Sequence, residues 1–244
     1  MLIGVGGAYF PLALTPFWVD GITCMLAALV LLKVLHPKKA KTLDNLKIEN
    51  PQSAYQDKVF LLFLGAMVLF GIVFLQYFST MPLYYKDAHY LSELEIGLLL
   101  GLNGLLIFVF EMPLIKWLEN SRFTKSGLML TGALLTGLSF LVLNMTSWAG
   151  VLIIGILLMT FGEMIAFPFS NAFAMERAKK GNPGEYMALY SISFSIAHIF
   201  GHNAGLQLVD AFGFDKTWYL AALLAGFSVF LLFILKQKLK IKSL

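Results

Sequence analysis

The sequence predicts an all-α fold: a polytopic bundle of transmembrane helices. Hydrophobic residues make up 59% of the 244 residues and charged residues only 13%, whereas soluble domains contain about 25% charged residues. The apolar residues are grouped in segments of about 20, the length that crosses a bilayer as a helix. The charged residues collect in the connections between these segments. We therefore expect a multi-pass membrane protein whose surroundings are the lipid bilayer.

Seven apolar segments have the length of membrane helices. They are residues 17–35, 59–81, 91–115, 127–143, 148–172, 186–209 and 217–235. Residues 1–14 are apolar but short, and we expect Pro16 to separate them from the first full helix. This division predicts three parts: residues 1–35 with the end of one helix and one full helix, a basic cytoplasmic linker at 36–58, and a six-helix domain at 59–244.

Positive charge is distributed unevenly between the two sides of this predicted topology. All but two of the 18 lysines and arginines lie on one side, and the exceptions are Lys86 and Lys216. Because lysine and arginine are retained in cytoplasmic loops, we expect the C-terminus in the cytoplasm and the protein in the cell (inner) membrane. The net charge of +4 then reflects topology, and no nucleic-acid partner is expected.

Glu163 is the acidic residue placed deepest in an apolar segment. An ionisable group at the centre of a membrane helix costs about 2.5–3.5 kcal/mol on insertion scales, so it usually faces the interior of the bundle. Two interpretations are open. Glu163 either couples proton movement to substrate movement, or it is a structural acid that is hydrogen-bonded to a neighbouring helix or kept neutral by burial.

The segment at 186–209 carries a polar stripe formed by Ser191, Ser195, His198 and His202. At about 100° per residue these positions fall within roughly a 60° arc of a helix. Such a stripe predicts a cavity wall or a partner surface. His198 and His202 are candidates for proton coupling, or they are neutral hydrogen-bonding residues; a pairing with Glu163 is one further possibility.

An enzymatic or metal site has little support in the sequence. His198 and His202 have a spacing compatible with zinc, with Glu163 as a third ligand, but no HExxH motif occurs and the single cysteine, Cys24, lies elsewhere. No catalytic triad or nucleotide-binding loop is present. We expect no catalytic residue, no metal and no cofactor.

Further polar residues of the apolar segments are candidates for two roles. The predicted substrate contacts are Asn103, Gln76, Tyr77 and Ser195. The predicted gating or structural residues are Glu111, which we expect to pair with Lys116, Asp20, which we expect to cap its helix, and Arg122.

Small and uncharged residues predict how the helices are arranged. Ala197, Gly201 and Gly205 repeat every four residues, which predicts close helix packing. The segments at 127–143 and 217–235 contain no ionisable residue, so we expect them at the lipid-facing periphery.

Four stretches resemble a known family. They are FWVDGIT at 17–23, GEMIAFP at 162–168, the segment 184–205 that begins Gly-Glu-Tyr, and the turn 118–125. With the long basic linker, they make the chain similar to the C-terminal half of a major facilitator superfamily transporter, from the end of helix 5 through helix 12. In the turn, Glu119, Arg122 and Lys125 match the charged positions of the family motif, whereas its glycines are absent. The resemblance is closest to the drug:proton antiporter branch.

This resemblance implies alternating access around a substrate site near the membrane midplane, between two six-helix halves. The chain is then expected to be a fragment whose partners are protons, a small-molecule substrate and the missing N-terminal half. The expected function is proton-coupled export of a small molecule or drug. The alternatives are a proton-coupled importer of a sugar, peptide or nucleoside, and a non-transporting membrane scaffold or sensor.

Overall fold

The computed structural model describes residues 10–34, 52–145, 148 and 150–241. The chain divides into two units, residues 1–47 and 48–244. The described residues form α-helices and one short 3-10 helix, with no β-strand among them. This confirms the predicted all-α helix bundle.

The first unit contains one helix, α1 (Phe10–Val34). The prediction that Pro16 separates two helices was wrong, because α1 runs through Pro16; proline is tolerated inside membrane helices where the freed backbone groups find other partners. Asp20 lies well inside α1, so it cannot be the predicted cap, since only the first turn has unpaired N–H groups. Residues 1–9, and the linker up to residue 51, lie outside the described residues.

The second unit contains seven α-helices in the described part of the chain. They are α2 (Lys58–Ser79), α3 (Met81–Asp87), α4 (Glu93–Glu119), α5 (Lys125–Leu143), α6 (Gly150–Ala178), α7 (Pro183–Phe212) and α8 (Phe214–Ile241). A 3-10 helix at Ala54–Gln56 precedes them. Each predicted segment of this region is a helix, and α3 is an additional short one.

Five of the described helical spans are long and apolar enough to cross a membrane. They are α2 together with α3, then α4, α5, α6 and α8. The 30-residue α7 is long enough but more polar. These helices confirm the predicted polytopic bundle.

The end of α6 differs from the prediction. The predicted apolar segment ends at residue 172, whereas the helix continues to Ala178 and includes Glu176 and Arg177 in its last turn. The run Ala-Met-Glu-Arg-Ala consists of good helix formers, and the buried Arg177 side chain is paired. The chain then turns at Gly181, and the side chain of Asn182 caps α7 by accepting a hydrogen bond from the Gly184 N–H.

Aromatic side chains fill two cores at opposite ends of the second unit. Near the start of α2, Phe60, Phe63 and Tyr186 are fully buried. Near the other end, Phe140 and Trp218 pack with ring centroids 5.4 Å apart. Large aromatic residues contribute most to core energetics because each buries about 150–250 Å². The two cores fix the helix ends and leave the polar residues between them.

Small residues bring two pairs of helices close together. Ala197, Gly201 and Gly205 are buried on α7, and a Cβ at Gly201 would lie 3.2 Å from the Ile72 carbonyl oxygen of α2. This confirms the close packing predicted from their spacing. The pair α5–α6 meets in the same way: a Cβ at Gly132 would lie 2.7 Å from the Gly162 carbonyl oxygen.

The exposed faces of α5 and α8 are apolar. On α5 this face includes Leu134 and Leu138, and on α8 it includes Leu223, Phe227 and Phe230. The opposite faces are buried, mainly against each other, α6 and α2. One apolar exposed face is what a helix at the lipid boundary requires. Among the five membrane-length spans, α4 is the least covered: its most apolar stretch is only 6% buried.

Candidate functional site

A polar cluster joins α4 to α6 in the middle of the bundle. The Asn103 Nδ2 group donates hydrogen bonds to Thr160 Oγ1 at 2.9 Å and to Glu163 Oε2 at 3.2 Å. The Thr160 hydroxyl in turn donates to the Ile156 carbonyl oxygen at 2.8 Å. At about 1.5 Å per residue, Glu163 is roughly 20 Å from either end of α6, so this cluster lies near the centre of the span.

Glu163 is half-buried, and the described residues place no ion-pair partner beside it. The Asn103 amide therefore provides the one hydrogen bond that the described structure gives this carboxylate. Such a site can hold a proton or a cation.

Thr160 fixes the direction of the Asn103 amide. Its hydroxyl hydrogen is used toward Ile156, so its oxygen accepts from Asn103. Both contacts of Asn103 are made by Nδ2, so the amide presents its N–H groups to α6. Asn103 and Thr160 are buried, with 6% and 0% of their surfaces exposed. Thr160 therefore holds the Asn103 N–H groups in position to donate to the Glu163 carboxylate.

Gln76, a predicted substrate contact, is occupied within the protein. Its Nε2 group donates to the carbonyl oxygens of Gly201 at 2.6 Å and Ile72 at 3.2 Å, and its Oε1 accepts from the Thr80 hydroxyl at 2.8 Å. Both N–H groups of the side chain are therefore used, and its oxygen accepts one hydrogen bond. The structure thus gives Gln76 a role in joining α2 to α7.

The other predicted substrate contacts lie in different environments. Tyr77 is buried, and its hydroxyl lies 3.1 Å from the Tyr85 hydroxyl. Ser195 is exposed on α7, and its hydroxyl donates to the Ser191 carbonyl oxygen at 3.3 Å. Asn103 is the predicted substrate contact that lies beside Glu163.

The predicted polar stripe is present on an exposed face of α7. Ser191, Ser195, His198 and His202 are all exposed. No ion pair joins either histidine to Glu163 in the part of the chain that the structure describes. That part also contains no group of three or more histidine, cysteine or acidic side chains placed to hold a metal ion.

The predicted gating residues do not form the expected contacts. Glu111 and Lys116 are not among the ion pairs found in the described residues, because positions five apart are about 140° apart around a helix. Arg122 is exposed in the turn after α4. The basic residue of this turn region that does form an ion pair is Lys125, with Glu176 at 2.5 Å.

Sequence reasoning missed a buried ionic cluster at the end of the bundle where α2 begins. Arg177 Nε and Nη2 donate to Asp57 Oδ2 and Oδ1 at 2.5 and 2.6 Å, and the Tyr186 hydroxyl donates to Asp57 Oδ2 at 3.2 Å. Asp57 also caps α2 by accepting from the backbone N–H groups of Val59 and Phe60. The available signal was an aspartate directly before an apolar run.

Asp57 is ionised in this cluster despite its burial. Burial raises the pKa of its carboxyl group, but the hydrogen bonds from Arg177 and from the Phe60 N–H outweigh burial and hold this pKa below its ordinary value. Several basic residues lie at this end of the bundle. We call it the basic end and define it by Asp57, Lys125, Arg177 and Lys236.

Comparison with known proteins gives the family. The sequence profile described as Major Facilitator Superfamily matches residues 1–202 and, in a second match, residues 91–242. The chain belongs to the Major Facilitator Superfamily. The superfamily consists of membrane transporters, so the resemblance stated from the sequence is confirmed at this level. The chain is a multi-pass membrane protein of a transporter family.

Two curated relatives of this superfamily member cover most of the chain. A Na(+), Li(+), K(+)/H(+) antiporter of Planococcus maritimus is 26% identical over 200 residues, which are 75% of this chain and 46% of the relative. An uncharacterized transporter of Buchnera aphidicola subsp. Schizaphis graminum (strain Sg) is 24% identical over 175 residues, which are 70% of this chain and 44% of the relative. The chain thus spans about half the length of the curated relatives it matches.

Proposed function

We propose that this superfamily member forms part of a proton-coupled antiporter in which Glu163 carries the coupling proton. The observation that supports this proposal is the Asn103–Glu163 hydrogen bond in the middle of the bundle. An isolated acid inside a membrane span is costly and marks a functional site by default. Glu163 has no ion-pair partner among the described residues, so its charge is available for exchange.

A single carboxylate can exchange a proton for a cation because it binds only one of them at a time. Glu163 holds either a proton or a cation, since binding of one removes the charge that attracts the other. In alternating access, the site opens to one side of the membrane at a time. A proton taken up from one side is then replaced by substrate from the other. Asn103 keeps the carboxylate in place and is also our candidate substrate contact.

The substrate class that we propose is cationic. The curated relative named as a Na(+), Li(+), K(+)/H(+) antiporter supports a cation exchanged for a proton, and the unpaired Glu163 carboxylate fits this charge. Export of a cationic drug would depend on the same attraction between a positive charge and the Glu163 carboxylate. Proton-coupled import of a sugar, peptide or nucleoside is the alternative, for which Asn103 and Ser195 would supply hydrogen bonds.

We further propose that the exposed faces of α4 and α7 contact the other six-helix half of the transporter. The 6% burial of the apolar part of α4 supports a partner surface there. On α7, the exposed stripe with His198 and His202 would face the pathway between the halves. His198 and His202 are second candidates for proton coupling. We also propose that the basic end faces the cytoplasm, which places the C-terminus on the cytoplasmic side of the cell membrane.

The decisive test is transport driven by a pH gradient in reconstituted vesicles, with the complete gene product. We expect Glu163→Gln to keep folding, to weaken binding of a cationic substrate and to abolish gradient-driven flux. Glu176→Gln is the matched control, because Glu176 lies on the same helix but is exposed at its end; its flux should stay close to that of the unmodified protein.

Two outcomes would contradict the proposal. Unchanged flux in Glu163→Gln would make Glu163 a structural acid and would move the search to His198 and His202. If the unmodified protein moved no cation, drug or neutral solute under any gradient, the scaffold or sensor alternative would replace transport.

A further inference from the structure

A cavity of about 740 Å³ opens at the basic end, between the start of α5 and the last turns of α6 and α8. Its cationic lining residues are Lys125, Arg177, Lys180, Lys236 and Lys240. The acidic lining residue is Glu176. The remaining lining includes apolar side chains, Phe123, Phe173 and Leu239. The cavity is therefore positively charged on one part of its wall and apolar on another.

The positive charge of this cavity is only partly neutralised. Asp57 neutralises Arg177, and Glu176 neutralises Lys125. Neither Lys180 nor Lys236 takes part in an ion pair found among the described residues. Both are exposed. The cavity thus keeps positive charge that an anion would neutralise.

The start of α5 adds hydrogen-bond donors to the same cavity. Thr124 caps this helix, and Thr124, Lys125 and Ser126 all line the cavity. The Lys236 ammonium group reaches this turn: its Nζ lies 3.5 Å from the position that a Cβ of Gly127 would take. Hydroxyl groups and lysine ammonium groups are donors that can bind phosphate in proteins.

We propose that this cavity binds the phosphate group of an anionic phospholipid from the cytoplasmic leaflet. A soluble phosphate has the same charge chemistry. The membrane location and the apolar side chains Phe123 and Leu239 favour the lipid, since basic pockets between membrane helices on the cytoplasmic side bind anionic head groups. The inference uses the proposed orientation of the basic end but not the transported substrate, so failure of the transport proposal leaves it standing.

The test measures lipid retention by the purified 244-residue chain in detergent, using native mass spectrometry with added phosphatidylglycerol or phosphatidylcholine. The test variant is Lys180→Gln/Lys236→Gln. The matched control is Lys179→Gln/Lys238→Gln, which removes the same charge from the neighbouring positions; neither Lys179 nor Lys238 lines the cavity. Thermal unfolding of both variants checks that they fold.

We expect the unmodified chain and the control to retain phosphatidylglycerol in preference to phosphatidylcholine. The test variant should bind phosphatidylglycerol about 30-fold more weakly, since each of the two lysines contributes about 1 kcal/mol near an anionic lipid surface. Equal losses in both variants would show general surface attraction and would overturn the site. Equal retention of the two lipids would overturn the anionic specificity.

A second experiment distinguishes a phospholipid head group from a soluble phosphate as the ligand. Inorganic phosphate is titrated into the delipidated chain and, separately, into the chain loaded with phosphatidylglycerol. Binding of inorganic phosphate that is tighter than that of the lipid, and that is lost in Lys180→Gln/Lys236→Gln, would assign the cavity to a soluble ligand and overturn the lipid proposal. Failure of inorganic phosphate to displace the lipid supports it.

Discussion

Arg177 and Asp57 form a buried two-point ion pair that joins the last turn of α6 to the first turn of α2. Only 7% of the Arg177 side chain and 2% of the Asp57 side chain are exposed. The Tyr186 hydroxyl brings α7 to the same carboxylate. The consecutive helices α6 and α7 are therefore held to the distant α2 at the basic end by one charged cluster.

Removing one partner of this pair should destabilise the bundle strongly. We expect Arg177→Met to lower the free energy of unfolding by about 3–5 kcal/mol, because the Asp57 carboxylate is left buried without its counter-charge. Thermal unfolding in detergent measures the effect. Lys125→Met, which breaks the exposed pair with Glu176, is the control and should cost about 0–1 kcal/mol. Equal losses in the two variants would contradict a special role for the buried pair.

The same pair predicts how stability depends on pH. Because the pKa of Asp57 is lowered on folding, its ionised form stabilises the folded state at every pH above its ordinary value of 3.8. This stabilisation is lost as the pH falls through the lowered pKa of the folded state. Denaturant unfolding at a series of pH values should show the difference between the unmodified chain and Asp57→Asn shrinking in this acid range. A difference that stays constant down to the lowest pH would count against the prediction.

Asn103 should matter for transport through Glu163. We expect Asn103→Ala to lower flux driven by a pH gradient by about tenfold, since a hydrogen bond to a charged group contributes about 1.5–3 kcal/mol. The measurement is the vesicle assay with the complete gene product. Asn120→Ala is the matched control, because the Asn120 side chain donates to the Lys116 carbonyl oxygen at the exposed end of the same helix. If both variants transported equally well, Asn103 would have no part in coupling.

The contact between α5 and α6 should not tolerate a methyl group. At Gly132 a Cβ would approach backbone atoms of Gly162 and Ala166 at 2.7 and 2.8 Å, so Gly132→Ala should cost about 1–3 kcal/mol through overpacking. At Gly226 a Cβ would meet nothing within 4 Å. Gly226→Ala should therefore be neutral or stabilise α8 by up to about 1 kcal/mol. Thermal unfolding compares them, and a Gly132→Ala variant as stable as the unmodified chain would refute the packing described here.

Periodicity and hydropathy predicted the helices because each helix is a local property of the sequence. The membrane segments, the exposed stripe around His198 and the close packing at Gly201 follow from spacing within one segment. Pro16 was misread because a proline breaks helices in water but is tolerated in a membrane helix. Patterns within a single segment were therefore sufficient to predict these features. The membrane environment explains the error at Pro16.

Contacts between distant helices could not be derived in the same way. Glu163 was singled out from the sequence, but its bond to Asn103 depends on α4 lying beside α6. The hydrogen bond from Gln76 to the Gly201 carbonyl oxygen could not be derived, because a polar residue in a span has the same appearance whether its partner is a ligand or a backbone oxygen. Asp57 and Arg177 are 120 positions apart, and only the assembled fold shows that they meet.

The Gln76–Gly201 hydrogen bond and the close approach of Gly201 to Ile72 tie α2 to α7. We therefore expect the two helices to keep one separation while other parts of the bundle rearrange. Spin labels on the outward ends of α2 and α7 should give one distance distribution under all conditions. Labels on α4 and α6, which Asn103 alone bridges with hydrogen bonds among the described side chains, should show the larger change in distance if the proposed alternating access occurs.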